Sequence, residues 1–299
     1  MIEAPSTLPT AGARLPRGQA LRRGLGGNPL LLAGGLLSAL IVVIALLAPL
    51  LAPFPADAGS ATHPFSVLRP PSAQHWFGTD NVGRDVYSRV LYGARISPLI
   101  AVIVLAISCA VGIPLGVAAG YFGGWLDEAI MRVTDIFLAF PPLLLALALA
   151  AVLPASITTV IIVIALTWWP WYTRLIRGQA ASVAGRPYIA SCRALGISRT
   201  WIIFRHILPN SITPLIVQVS LDVGGVILTV SALSFLGLGA QDPTPDWGLM
   251  VAEGQDYFLT SWWVVTFPGI AILVTAFAFT LLGDGLQDWL DPKRRVIGR

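Results

Sequence analysis

Apolar residues fall in long blocks set apart by polar stretches, and blocks of this length predict membrane-spanning helices. The first block, residues 29–51, is long enough to cross a hydrocarbon core of ~30 Å. Others run at about 98–120, 136–153, 157–172, 212–236 and 263–282. The pattern predicts an all-α, polytopic membrane protein with six transmembrane helices spread over residues 28–289. Basic residues before the first block also suit a signal peptide, but such apolar cores are usually only ~7–15 residues long. An uncleaved first helix is therefore predicted. Residues 1–27, rich in Ala, Pro and Gly with no periodicity, predict a mobile tail, and residues 290–299 form a second tail.

Composition agrees with the blocks: 56% of the 299 residues are hydrophobic and 11% are charged. A soluble domain carries about 25% charged residues, so this chain lacks the polar surface to remain in water. The same richness in apolar residues excludes disorder for most of the chain. A net charge of +4 raises the question of nucleic acid, but the arginines lie mainly at block ends, where they orient a membrane protein. Nucleic acid is excluded as a partner on that ground, and the partner surface is membrane lipid. Cys109 and Cys192 make no disulfide framework, and His63, His75 and His206 are scattered, so no metal site is expected.

Six spans put both chain ends on one side, and the basic residues choose the side. With the tails, Arg132 and the stretch from Arg174 to Arg205 inside, 15 Lys and Arg residues are cytoplasmic against four outside: Arg69, Arg84, Arg89 and Arg95. Both termini are thus expected in the cytoplasm, with an outer segment at about 54–96 and a cytoplasmic loop at about 176–211. Trp168, Trp169, Trp171, Trp262 and Trp263 fall at block ends, where amphipathic rings prefer the interface. Pro114, Pro141, Pro142, Pro170, Pro214 and Pro268 interrupt the spans, either as tolerated kinks or as hinges.

The blocks hold almost no ionisable residues, whereas ion-coupled carriers usually display them in mid-span. Asp222 is the clear case, either as part of a pathway or as a hydrogen bond locking the bundle. The chain carries no GxSxG, HExxH or Walker-type glycine loop, so no catalytic residue and no nucleotide site is expected. A stand-alone channel or secondary carrier and an intramembrane enzyme are disfavoured on these grounds. Active transport would need another polypeptide to hydrolyse the fuel.

The loop between the fourth and fifth blocks is the most specific stretch. Pro187 suits a first helical position, Tyr188 to Leu195 would form about two turns, and Gly196 suits the left-handed residue that ends them. Ser198 can cap a second helix through Ile207, with Pro209 limiting its continuation. Two short helices at an angle are expected, carrying Trp201, Ile202 and Phe204. These need apolar cover, from a partner or from the underside of the bundle itself.

This loop resembles the Glu-Ala-Ala loop of ABC importer permeases in Gly196, Leu208 and Pro209. The triplet itself reads Ala190-Ser191-Cys192, so the family's glutamate is absent. The likeness extends to Pro70-Pro-Ser-Ala-Gln-His-Trp-Phe-Gly-Thr-Asp80, Gly83-Arg-Asp-Val-Tyr-Ser-Arg89, Gly93-Ala-Arg95, Ser234-Phe-Leu-Gly-Leu-Gly239, Pro243-Thr-Pro-Asp-Trp-Gly248 and Leu282-Gly-Asp-Gly-Leu286. This ordered series is similar to the six-span second permease of the dipeptide/oligopeptide/nickel group. The resemblance implies a bacterial inner-membrane permease subunit of an ATP-driven, binding-protein-dependent importer. Its partners would be a homologous permease, two ATPase subunits and a periplasmic or lipid-anchored substrate-binding protein. This chain would bind no cofactor, ATP and Mg being used by the ATPases. Tyr188, Ala190, Ser191, Cys192, Arg193, Gly196, Leu208 and Pro209 would couple to the ATPases. Gly78, Asp80, Arg84 and Asp85 would contact the binding protein, gate its exit or cap the bundle. Di- or oligopeptides are the expected cargo, with nickel complexes or another small solute as alternatives.

Overall fold

The computed structural model describes residues 28–290, so nearly all of both predicted tails lies outside the described residues. Asn28 starts helix α1 (Pro29–Leu51): its side chain accepts the amides of Leu30 and Leu31, and Pro29 occupies the first turn, where no amide is needed. Asn28 Nδ2 also donates to the Gly285 carbonyl (3.2 Å), tying the first helix to the last.

Helix α2 (Val86–Phe122) has 37 residues and is capped by Asp85, which accepts the Ser88 amide. At 1.5 Å per residue it is about 55 Å long, and it begins well before the apolar block that predicted it. Its first turns hold Arg89 and Ser97, both fully buried against the outer segments rather than facing lipid. A hydropathy pattern has no means of showing that shielding.

The third block departs most from expectation. In place of one span at about 136–153 there are two helices, α3 (Gly124–Leu138) and α4 (Pro142–Ala150), bent by 82°. Neither Pro141 nor Pro142 has an amide to donate, and Pro142 keeps Pro141 out of the helical region (φ −56°, ψ 125°). Among the described residues, five helices are long and apolar enough to cross a membrane, or six if this bent pair counts as one span.

Helix α5 (Ile157–Ala184) packs along α2 more extensively than any other helix pair, and it continues past the block end predicted near Tyr172. Trp168, Trp169 and Trp171 therefore sit in mid-helix, and Trp169 is buried. Gly112, Gly116 and Gly120 of α2 form a stripe at a spacing of four. A Cβ would lie 2.8 Å from the Trp169 carbonyl oxygen at Gly112 and 2.6 Å from that of Thr173 at Gly116. Small residues at this spacing let two backbones approach within a membrane.

Helices α6 (Pro187–Ala194) and α7 (Arg199–Ile202) lead through a π-helical turn, Ile203–Ile207, into α8 (Leu208–Phe235). After α9 (Trp247–Gly254), α10 (Trp263–Leu290) closes the bundle against α8 and α1. The main apolar core gathers around α2, α5 and α8, with Val104, Ile164, Ile176 and Ile227 at its centre. Leu36, Leu46 and Leu50 of α1 face outward, as lipid requires.

Candidate functional site

The loop at 187–209 is a helical projection. At the end of α6, Gly196 takes φ +73°. Its amide donates to the Arg193 carbonyl (3.0 Å), and the next amide, Ile197, reaches back to Cys192 (3.1 Å). This is the left-handed helix ending that glycine favours. Ser198 caps α7 by accepting the Trp201 amide (3.3 Å). The second short helix does not stop at Pro209. The π-helical turn carries α7 straight into α8, with Leu208 N–H bonded to Ile203. A proline ring clashes with the carbonyl four residues earlier, and the wider turn relieves that contact. The expected separate helix is therefore the start of the long helix that continues through α8.

Ile189, Ile202 and Ile207 are fully buried and anchor the projection. Tyr188, Ala190, Ser191, Arg193, Gly196 and Pro209 are exposed, while Cys192 and Leu208 are half-buried. Leu195 (79% exposed), Trp201 and Phe204 (66%) are also uncovered. Ser198, Thr200, Trp201, Phe204 and Arg205 line a shallow hollow beside them. The Tyr188 and Trp201 rings meet His206 edge-on at 5.7 and 5.0 Å, and the Arg193 guanidinium lies 4.9 Å above the Tyr121 ring. A second brace comes from α3. Arg177 Nε and Nη2 donate to the two oxygens of Asp127 (3.0 and 2.6 Å), and Arg174 pairs with Asp135.

Asp222 sits near the middle of α8. Tyr172 Oη donates to its Oδ2 (2.7 Å) and Gln218 Nε2 to its Oδ1 (2.9 Å), joining α5 to α8. Leu138, Pro142, Thr167, Trp168, Trp171, Gln218 and Asp222 line a cavity of about 190 Å3. Tyr172 was not singled out by its sequence context, since only the fold brings it to Asp222.

The segments around residues 57–90 and 242–263 form the third polar assembly. Arg84 donates to Asp80 (2.7 Å), Asp242 (2.6 Å) and Glu253 (3.3 Å). Arg89 lies 3.7 Å from both Asp80 and Glu253 and donates to the carbonyls of Asp57 and Pro243. Asp85 accepts from Ser88, and its Oδ1 lies 2.9 Å from His75 Nδ1. Trp247 Nε1 donates to Val90 and Trp263 Nε1 to Thr79, so Trp263 is a buried clamp rather than an interfacial ring. Burial pushes the Glu253 carboxyl up, helped by Asp242 and Asp80 and opposed by Arg89 and Arg84.

Gly78, Asp80, Arg84 and Asp85 are all buried within this assembly. The three charged side chains among them bond within the assembly. Together these bonds form a cap at one end of the bundle. Its surface is formed by residues such as Phe65 and Trp76, 93% and 59% exposed. Asp242 and Glu253, which complete the network, lie more than 150 residues from Arg84, and no local signal pairs them. Among the described residues no group of three His, Cys, Asp or Glu side chains is placed to hold a metal.

Residues 112–296 match the family described as binding-protein-dependent transport system inner membrane component. The chain is 46% identical over 269 residues to the probable D,D-dipeptide transport system permease protein DdpC of Escherichia coli strain K12, covering 90% of this chain and 89% of that one. It is 42% identical to the dipeptide transport system permease protein DppC of Alkalihalophilus pseudofirmus, covering 90% and 87%. It is 41% identical to the glutathione transport system permease protein GsiD of Pectobacterium atrosepticum, covering 87% and 86%. Among solved structures, an inward-facing MetNI methionine ABC transporter chain matches with a TM-score of 0.53 at 14% identity, covering 68% of this chain and 97% of that one. This last likeness concerns the fold.

Proposed function

Because the chain belongs to the family of binding-protein-dependent transport system inner membrane components, we propose that it is the permease subunit of an ABC importer for di- or oligopeptides. The observation that carries the cargo class is the 46% identity to a D,D-dipeptide permease along 90% of the chain. The dipeptide and glutathione permeases add two further peptide-carrying relatives. In this reading the chain forms half of a translocation pathway with a homologous permease. A substrate-binding protein delivers peptide outside, and two ATPase subunits consume ATP and Mg inside. The chain itself supplies shape and motion. Both termini lie in the cytoplasm.

The projection at 187–209 is the coupling element. Its apolar knob (Leu195, Trp201, Phe204) is exposed, and exposed apolar surface of this kind suits burial in a partner's groove. Closure of the ATPases displaces α6. Because α7 continues unbroken into α8, and Arg177 and Arg174 brace α5 against α3, that displacement reaches three elements of the bundle as a rigid-body tilt. Ala190 replaces the family's glutamate, so contact with the ATPase rests on shape and on Arg193.

The test is a mild-detergent pull-down of the chain expressed with its native neighbours. The expected result is co-purification of a second permease and ATPases, with ATP hydrolysis stimulated by peptide plus binding protein. A chain that comes down alone and without ATPase activity overturns the assignment.

A further inference from the structure

We propose that Asp222 is the point in the pathway that receives the positively charged ammonium group of a passing peptide. The proposal rests on the peptide reading above and adds a specific ligand atom to it.

Asp222 presents a problem of charge. It lies in mid-helix within a membrane segment, where a carboxylate is costly and needs compensation. Yet no Lys, Arg or His among the described residues forms an ion pair with it. Its two bonds come from neutral donors, the Tyr172 hydroxyl and the Gln218 amide. A helix-to-helix lock does not require this arrangement. An asparagine could accept the tyrosine hydroxyl and pair with the glutamine amide at no cost in charge. The carboxylate therefore carries something that a lock has no use for.

The surroundings indicate what that is. Each carboxylate oxygen receives one protein donor and keeps acceptor capacity for another. Tyr172 is fully buried, so Asp222 is held from behind while its own side chain stays partly open. The cavity in front has two indoles, Trp168 and Trp171, and aromatic faces attract ammonium groups, more strongly once water is removed. Leu138 and Pro142 supply apolar wall, and the wall includes the break between α3 and α4. A carboxylate with two fixed donors, beside two indoles and with no counter-ion among the described residues, suits a small cation with N–H donors. A peptide brings one at its amino end whatever its side chains, so the site is compatible with cargo of varied sequence.

The test uses the assembled transporter with its binding protein in proteoliposomes and dialanine as the probe. Uptake, binding-protein-stimulated ATP hydrolysis and thermal midpoint are measured for the parent, Asp222→Asn and Asp222→Glu. Loss of a charge-assisted contact is expected to lower uptake by Asp222→Asn roughly tenfold or more. The thermal midpoint should stay at the parental value, and Asp222→Glu should recover part of the uptake. Uptake by Asp222→Asn that stays within about tenfold of the parent overturns the assignment and leaves the peptide reading standing. Loss of assembly in both variants also overturns it, in favour of a lock. A parental complex that takes up no peptide overturns the cargo reading and this assignment together.

Discussion

Arg84 and Arg89 face three carboxylates: Asp80 and Glu253, which are largely shielded from water, and Asp242, whose side chain is 63% exposed. Breaking a buried pair by removing one partner costs about 3–5 kcal/mol, an upper figure here because Asp80 and Glu253 each face both arginines. Arg89→Met is therefore expected to loosen the outer segments and lower the thermal midpoint of the detergent-solubilised complex, with faster proteolysis around residues 57–85. Unchanged protease resistance would show that the pairs are dispensable. Glu253 adds a dependence on pH. Its carboxyl is raised, so its contribution to stability is fully present below the unfolded value of ~4.3 and is lost as pH rises through the folded value. Glu253→Gln lacks that dependence. As pH rises through that folded value, the parent's midpoint should fall relative to the variant's, and a constant gap would contradict the burial of this charge.

At the scale of elements, α6 depends on how it ends. A proline at position 196 cannot adopt φ +73°, because its ring fixes φ near −65°. Gly196→Pro should abolish ATP-coupled uptake while leaving membrane insertion intact, read by transport assay and membrane fractionation. Uptake at the parental rate would remove α6 from the coupling path. Ala190→Glu should be tolerated, since that side chain is exposed and restores the residue of the resembled family. Complete loss of assembly would show that this interface has diverged. The contact between α2 and α5 has a different weakness. Gly116→Leu would push a side chain into the Thr173 carbonyl, an overpacking cost of about 1–3 kcal/mol visible as a lower thermal midpoint. The spacing of Gly112, Gly116 and Gly120 is visible in the sequence, but three glycines four apart name no partner helix.

Over the whole molecule, a clamp on one side and a projection on the other are joined by continuous helices. The clamp ties residues 79–90 to 242–263. The projection hangs from α5 and α8, which also carry Tyr172 and Asp222. Motion applied to the projection thus passes the cavity before it reaches the clamp, an order suited to alternating access. The proposed orientation is directly testable in a background with Cys109 and Cys192 replaced by alanine. Phe65→Cys, almost fully exposed, should react with a membrane-impermeant maleimide in cells whose outer barrier is opened. Leu195→Cys should react only after the inner membrane is permeabilised. The reverse pattern would invert the topology.

What the sequence determined by itself is what local chemistry controls. Apolar blocks of spanning length dictated an all-helical membrane fold, because lipid leaves the backbone no other partner than itself. Pro187, Gly196 and Ser198 marked the projection's turns, because start, left-handed end and cap each depend on one residue's own geometry. The tertiary structure decided everything that rests on distant pairing. It broke the third block at Pro141 and Pro142 and ran α7 through Pro209 into α8. It buried Gly78, Asp80, Arg84 and Asp85, which sequence alone left open to a partner. It also set Tyr172 against Asp222 across 50 residues of chain. Hydropathy measures how a residue transfers from water, whereas the meaning of a charge inside the fold depends on which partner the packing brings to it.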